Sequence, residues 1–522
     1  MNNRLLLYIA LCLTSASAVA QTISEGTYRL ADEQLLWQQT ENAAGLSHDM
    51  HSADSAGYTT AAANRGVAAF DFNHLSGDFH RVQEGNQTNM LRFFTERYQQ
   101  VGRYLYGYGS FDFGMGRTKE RAWSDVMRTY DSNPYISGSS IPGKYDHQDF
   151  TLQSRLATVR FGHFRYGAAL RYEVGDLSRL RDPRPRMRLT DYQLTPSVTF
   201  TEGSHVVGFA PFYHRYKEKM SQPVVKQKDP HIAYYTMTGL EAATGNIGDY
   251  AGYWREYVNH EFGGELSYGY EGNNYRSVTT AALRRGTEYV YGQYKYEPGR
   301  FIDWHYEFAT RHRLQAGSLL HSLEATMKFE QAYADQYLSQ LITETDGAYT
   351  TQRWERTMTF RKRYQLKVKQ LMAHYRLSFT DDNETVGYVG GRYEQQSVDN
   401  IHTLPTSTFE HDGTKVTFEA GAAMLGRRLW AKADLGYYFS DKADLALSPR
   451  TMGGTYAQQV IVADLPYYEA SYFHSRLQLT YSLPVTLKGR TNNWYASLYG
   501  QYIKTNNELE SRSAGLTIGL YY

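Results

Sequence analysis

A chain of 522 residues with a formal net charge of +1 gives no reason to expect a nucleic-acid partner, whose phosphates call for a basic face. Its mean hydropathy is -0.59, and beyond residue 20 no uncharged apolar run approaches the roughly 20 residues of a membrane-crossing helix, which excludes a helical membrane protein. A transmembrane β-barrel is not excluded, because its lipid-facing and water-facing residues alternate and average out; 47 Tyr, 23 Phe and 44 Gly suit such strands.

The chain opens with the positive stretch Met1-Asn2-Asn3-Arg4, the apolar run Leu5–Leu13 and the small-x-small site Ala18-Val19-Ala20. This pattern predicts an export signal cleaved after Ala20, with the mature protein starting at Gln21. A buried N-terminal strand would need neither the arginine before it nor the alanines after it. The one cysteine, Cys12, lies inside this signal. The mature chain then has no disulfide, thiolate or cysteine–zinc chemistry. Leu11 stands before Cys12 where a lipoprotein signal wants a small residue.

Residues 21–55 do not alternate. Asp32–Gln39 predicts a short helix, followed by Asn42-Ala43-Ala44-Gly45-Leu46 and a polar run around His48–Asp54. The segment is expected as a periplasmic tail or as a small plug entering a lumen.

From about residue 56 onward, apolar and polar residues alternate with period two, the mark of half-buried strands. In 164–173, Phe164, Tyr166, Leu170 and Tyr172 oppose Arg165, Arg171 and Glu173. In 257–270, Phe262, Leu266 and Tyr268 oppose Glu261 and Glu265. Ile302, Trp304, Tyr306 and Phe308 oppose Asp303, His305, Glu307 and Arg311; Leu323, Ala325 and Met327 oppose Glu324 and Lys328. Val416, Phe418 and Ala420 oppose Glu419; Leu429, Ala433, Leu435 and Tyr437 oppose Lys432 and Asp434.

The joins are of two kinds. Short ones fall near Gly102, Gly162, Glu202–Ser204, Gly272–Asn274, Gln315–Gly317, Asp381–Asn383, Gly426–Arg428 and Thr486–Asn492. Between them, long polar stretches are expected near 73–87, 118–147, 176–188, 219–256, 286–300, 334–360, 398–412 and 441–466. Tight turns on one side and long loops on the other indicate an antiparallel transmembrane barrel of about 18 strands, 14 or 16 if a weak pair is misread, with periplasmic turns. Lipid offers the backbone no hydrogen-bond partner, so the sheet must close. A soluble sandwich would have apolar inner faces, whereas the second face here carries Arg, Glu, Asp and Lys. The final strand puts Ala514, Leu516, Ile518, Leu520 and Tyr522 on one face. An apolar lipid face ending on an aromatic resembles the C-terminal signal read by the barrel assembly machinery.

Two family resemblances accompany this reading. Asn42-Ala43-Ala44-Gly45-Leu46 is similar to the Asn-Pro-Ala-Gly-Leu hatch of long-chain fatty-acid transporters, with alanine in place of proline. More of the chain resembles an uncharacterised family of outer-membrane β-barrel proteins of Gram-negative bacteria. The residues that carry it are Leu36-Trp37-Gln38-Gln39 with Asn42–Gly45, Gly77-Asp78-Phe79-His80-Arg81-Val82-Gln83-Glu84-Gly85, and Asp182-Pro183-Arg184-Pro185. The resemblance implies a barrel in the outer membrane and no substrate.

No phosphate loop, H-E-x-x-H, G-x-S-x-G or Cys/His cluster occurs, so neither an enzyme nor a cofactor is expected. The 17 histidines are scattered without ligand spacing. The functional surface is the charged strand face: Arg165, Arg171, Glu173, Glu261, Glu265, Asp303, His305, Glu307, Arg311, Glu324, Lys328, Glu419, Lys432, Asp434 and Arg476 are candidates to line the lumen. Both signs are present, which favours polar or zwitterionic solutes; the plain alternative is charges pairing across neighbouring strands in a wet interior. The tyrosine-rich stretches 233–235, 250–257 and 289–296 are expected either to bind sugars or proteins or to fold into the mouth. The expected function is a porin-like channel or transporter for a small polar or amphipathic solute, in contact with outer-membrane lipid. The alternative is a barrel that holds a protein partner through its outer loops.

Overall fold

The computed structural model describes residues 24–55, 64–129, 133–221, 233–240, 243–247, 254–487 and 490–522. The export signal and its cleavage site lie outside the described residues. In chain order the elements begin with α1 (Glu25–Glu33), a 3-10 turn (Ala43–Gly45) and α2 (Leu46–Ser55). Strands follow as β1 (Arg65–Gly77), β2 (Gln87–Val101), β3 (Leu105–Arg121), β4 (Ser137–Ser139), β5 (Gly143–Thr158), β6 (Phe164–Arg179) and β7 (Arg186–Glu202). Next are β8 (His205–Ser221), β9 (Ala233–Met237), β10 (Ala243–Ile247), β11 (Arg255–Glu271), β12 (Tyr275–Gly292), β13 (Gly299–Ala316) and β14 (Leu319–Asp346). The chain continues through β15 (Tyr349–Asp381), β16 (Glu384–His402), β17 (Ser407–Met424), β18 (Leu429–Ala446), α3 (Leu465–Glu469), β19 (Tyr472–Leu487), β20 (Arg490–Thr505) and β21 (Glu510–Tyr521).

Eighteen of these strands form one antiparallel sheet, and β4, β9 and β10 form a separate small one. The large sheet closes where β21 returns to β1, from Val67 opposite Tyr521 to Gly77 opposite Ser511. Closure pairs the first and last strands and leaves no open edge in the wall. Binary patterning then sorts the faces. On β11, Phe262 and Leu266 are 64% and 60% exposed, while Glu261 and Glu265, each next to one of them, are each 5% exposed. Phe70, Phe418, Leu477, Leu498 and Ile518 continue the outward apolar surface round the cylinder. A belt of that extent is unfavourable against water and favourable against acyl chains, so the fold is a transmembrane barrel. Among the described residues no helix is long and apolar enough to cross a membrane.

The turns at the end where the C-terminus lies are tight. Gly102, Gly162, Gly203, Gly317 and Gly426 there have φ between 56° and 68° with open space beside them. It is the backbone angle that selects glycine. Asp382 and Asn383, both at positive φ, close β15 onto β16 as a two-residue hairpin.

Two expectations are corrected. The stretch 334–360 is not a loop: β14 and β15 stay paired to Asp346 opposite Tyr349. Beyond Gln336 and Tyr364 this ribbon loses both neighbouring strands. Ten further residues at about 3.3 Å each carry it roughly 33 Å outward. Water bathes both its faces, so neither face needs apolar residues and the period-two signal disappears while the ladder persists. The helix expected at Asp32–Gln39 ends at Glu33 instead. It starts at Glu25 and is capped by Ser24, whose Oγ accepts the Thr27 N–H at 3.0 Å. The Asp49 carboxylate takes the backbone N–H groups of Leu36, Trp37 and Gln38 at 2.9–3.1 Å, replacing helical partners by a long-range side chain.

The lumen is occupied from both ends. Residues 24–50 sit inside the turn-side end, against β3, β5, β6, β7, β12 and β16. At the other end, loop residues Trp123, Tyr135, Ile136, Tyr234 and Tyr456 turn inward and pack with Leu177, Met187, Leu189, Tyr257, Phe301 and Leu366 of the wall.

Candidate functional site

The inner obstruction rests on polar contacts around a small apolar centre. Leu36 and Trp37 are fully buried against Val206 and Val278 of the wall. The Trp37 ring stacks on His48 at 5.2 Å, and its Nε1–H donates to Glu271 Oε1 at 3.1 Å. Arg276, at the start of β12, joins wall to segment. It donates to Glu271 Oε2 at 2.6 Å, to the Gln34 carbonyl at 3.2 Å and to Asp49 Oδ1 at 3.3 Å. Burial pushes the Asp49 carboxyl up to about 6, against the pull of Arg276 and the backbone N–H groups it accepts.

The Asn42–Gly45 turn touches the wall backbone itself. Asn42 Oδ1 accepts the Ala44 N–H at 3.1 Å, and its Nδ2 donates to the Val198 carbonyl at 3.2 Å. Ala44 N–H also donates to Ser197 Oγ at 2.9 Å. This approach requires Gly167: a Cβ there would lie 2.2 Å from Ala44 N and 2.6 Å from the Ala43 carbonyl carbon.

Above this segment lies a cavity of about 320 Å³, lined by Glu261, Arg284, Asp303, His305 and His214 among others. A second, of about 560 Å³, lies under the outer loops with an aromatic wall that includes Tyr364, Tyr438, Tyr456, Tyr467 and Tyr472. In that wall burial pushes Asp464 up to about 7, and its Oδ1 accepts the Val82 N–H at 2.8 Å.

The charged residues named from the sequence fall into three groups. The first touches the inner segment. Arg165 donates to Ser47 Oγ at 3.1 Å, Arg311 to Gln39 Oε1 at 2.8 Å, and Glu265 accepts the Glu41 N–H at 3.1 Å. Glu324 and Glu419 reach it indirectly, through Arg313 on the Glu33 carbonyl and Arg376 at 3.7 Å from Glu33 Oε1. The second group, Glu261, Asp303 and His305, meets in the smaller cavity. The third pairs along the wall: Arg171 with Glu173 at 3.4 Å and Lys328 with Glu307 at 3.5 Å. Asp434 faces Arg476 and Lys432 faces Gln478 in register.

Arg276, Arg284, Asp49 and His214 were not foreseen. On β12 small residues occupy both faces, so alternation gives no sign that Arg276 and Arg284 point inward. Asp49 lies in a segment without period. The inward Val206 and Val278 also break the apolar-out rule, because they face Trp37 and not water.

Three solved structures are similar to this chain. The copper transporter OprC is 10% identical, with 87% of this chain and 81% of that chain covered and a TM-score of 0.39. The outer membrane protein OpdK from Pseudomonas aeruginosa is 10% identical, with 88% and 99% covered and a TM-score of 0.36. The outer membrane transporter YddB from Escherichia coli is 9% identical, with 87% and 81% covered and a TM-score of 0.38. No curated protein matches the chain. Residues 55–522 match the family of unknown function DUF6850, in line with the resemblance to an uncharacterised barrel family, and the chain belongs to that family.

Proposed function

We propose that this protein is an outer-membrane transport barrel for a small polar or amphipathic solute, with residues 24–55 as a resident plug and the in-turned loops as an outer lid. The observation that carries this reading is the contrast between wall and contents. The wall is a continuous backbone ladder, whereas the plug is held by side-chain hydrogen bonds and ion pairs that water can replace. An 18-strand cylinder is wide enough to conduct unless filled. Two cavities between plug and lid give a solute stations on the way. The mixed charges of Arg171, Glu173, Glu307, Lys328, Lys432, Asp434 and Arg476 suit a polar or zwitterionic cargo. In this reading the chain is exported, and the strand carrying Leu516, Ile518, Leu520 and Tyr522 is what the assembly machinery recognises. Purified protein should give discrete conductance steps in planar bilayers and admit polar solutes into liposomes; silence in both assays refutes the reading.

The projecting β14–β15 ribbon favours a second reading, a barrel that holds a protein partner by strand addition at an open ribbon edge. Stable co-purification that is lost when residues 340–355 are removed would support it.

A further inference from the structure

We propose that the smaller lumenal cavity is a binding site for a divalent first-row transition-metal ion, held by Glu261, Asp303 and His305. The register builds the site. Glu261 on β11 pairs with Gly286 on β12, and Gly286 pairs with Asp303 on β13, so three adjacent strands present these residues at one level. Gly286 leaves the room: a Cβ there would lie 2.2 Å from Asp303 Oδ1. The two carboxylates therefore converge over a gap in the wall, and His305 joins them from two residues along β13. One donor atom from each of the three lies within 4.8 Å of the others. Three donors at 2.0–2.2 Å from one ion stand about 3.3–3.8 Å apart, so closure needs side-chain movements that shorten the separations by no more than roughly 1.5 Å.

The surroundings ask for a cation. Glu261 and Asp303 are 5% and 4% exposed, yet Glu261 Oε1 and Asp303 Oδ1 accept no hydrogen bond. The nearest cationic atoms to Glu261 Oε1 are His214 Nδ1 at 3.5 Å and Arg284 Nη1 at 3.6 Å. Asn259 Oδ1, on the same cavity, is likewise without a donor. Among the described residues five carboxylates line this space against the guanidiniums of Arg128 and Arg284 and the imidazoles of His214 and His305. Buried acceptors in excess of donors, with carboxylates brought side by side, are costly unless positive charge sits between them. Two carboxylates and an imidazole, with no thiolate or thioether, select a hard or borderline ion such as Mn²⁺, Co²⁺ or Zn²⁺ over the soft Cu⁺. His305 Nε2 lies 2.6 Å from Asp303 Oδ2, so the ring and the carboxylate already orient each other.

The test reads metal retention, without any flux, so it stands or falls separately from transport. The mature full chain is unfolded in urea, refolded into detergent with Co²⁺ or Zn²⁺ present, and desalted. Refolding removes any question of access through plug or lid. About one ion per chain is expected, with a visible Co²⁺ absorption band. Asp303→Asn and Gly286→Val should each lower retention at least about tenfold, while Glu307→Gln leaves it unchanged. Should those variants fail to refold, X-ray absorption of the Zn²⁺-loaded wild type decides. One imidazole nitrogen among oxygen donors supports the site; oxygen donors alone, or several imidazoles, overturn it. Wild-type retention below about a tenth of an ion per chain, or equal retention in the folded variants, also overturns it.

Discussion

Gly167 and Asp49 hold the proposed plug by different means. At Gly167 the constraint is space, and the atoms that a Cβ would strike are backbone, so no rotamer relieves them. Overpacking of that kind costs about 1–3 kcal/mol. Gly167→Val is expected to lower the amide protection factors of residues 34–50 about tenfold or more while the barrel keeps its heat-modifiable migration. Gly109→Val, where a Cβ meets only the Gln153 carbonyl at 3.8 Å, should leave them unchanged. At Asp49 the constraint is electrostatic. Its carboxyl sits at about 6 when docked, above the ordinary value of 3.8, so the docked state takes up a proton that the undocked one releases. Docking is therefore strongest below about pH 4 and loses up to roughly 3 kcal/mol as the pH rises through 6. Burial raises Glu33 as well, which adds to the same trend. Protection factors of residues 34–50 should fall between pH 4 and pH 7; a rise over that window would contradict the assignment.

At the scale of elements, legibility follows the solvent. Strands with lipid on one side and water on the other were plain in the sequence, β6, β11, β13 and β18 most of all, because the two media demand opposite residues. Where the medium is the same on both faces, as in the outer half of β14 and β15, the ladder survives and the pattern does not. Where a wall strand meets the plug, as at Val206 and Val278, inward residues turn apolar and mislead in the other direction. The candidate site was legible as single charged residues on strand faces. The convergence of Glu261, Asp303 and His305 was not, because it depends on a β11–β12–β13 register that no single strand encodes. The ribbon itself is a separable element: its outer residues touch the rest of the molecule mainly through Arg356 on Glu297 and Trp354 against Tyr296. Joining Ser339 to Arg356 by a tight turn in place of residues 340–355 should leave the barrel folded, with its melting temperature changed by no more than a few degrees. Loss of heat-modifiable migration would show that the ribbon is structural.

The molecule as a whole is a cylinder made rigid by a closed ladder and filled by parts that are not in the ladder. That division separates the energetics of staying in the membrane, which the Phe262, Leu266 and Leu498 face serves, from the energetics of holding residues 24–50 in the lumen, which Arg165, Arg276 and Asp49 serve. Cys12 is the only cysteine, so an engineered pair in the mature chain is chemically clean. Ala44→Cys with Ser197→Cys places the pair where Ala44 N–H meets Ser197 Oγ at 2.9 Å, tying plug to wall. Single-channel recording of this variant tests the central claim most directly. The oxidised protein should be silent, and reductant should restore discrete conductance steps; conductance that is the same in both states, or absent from both, would contradict a movable plug.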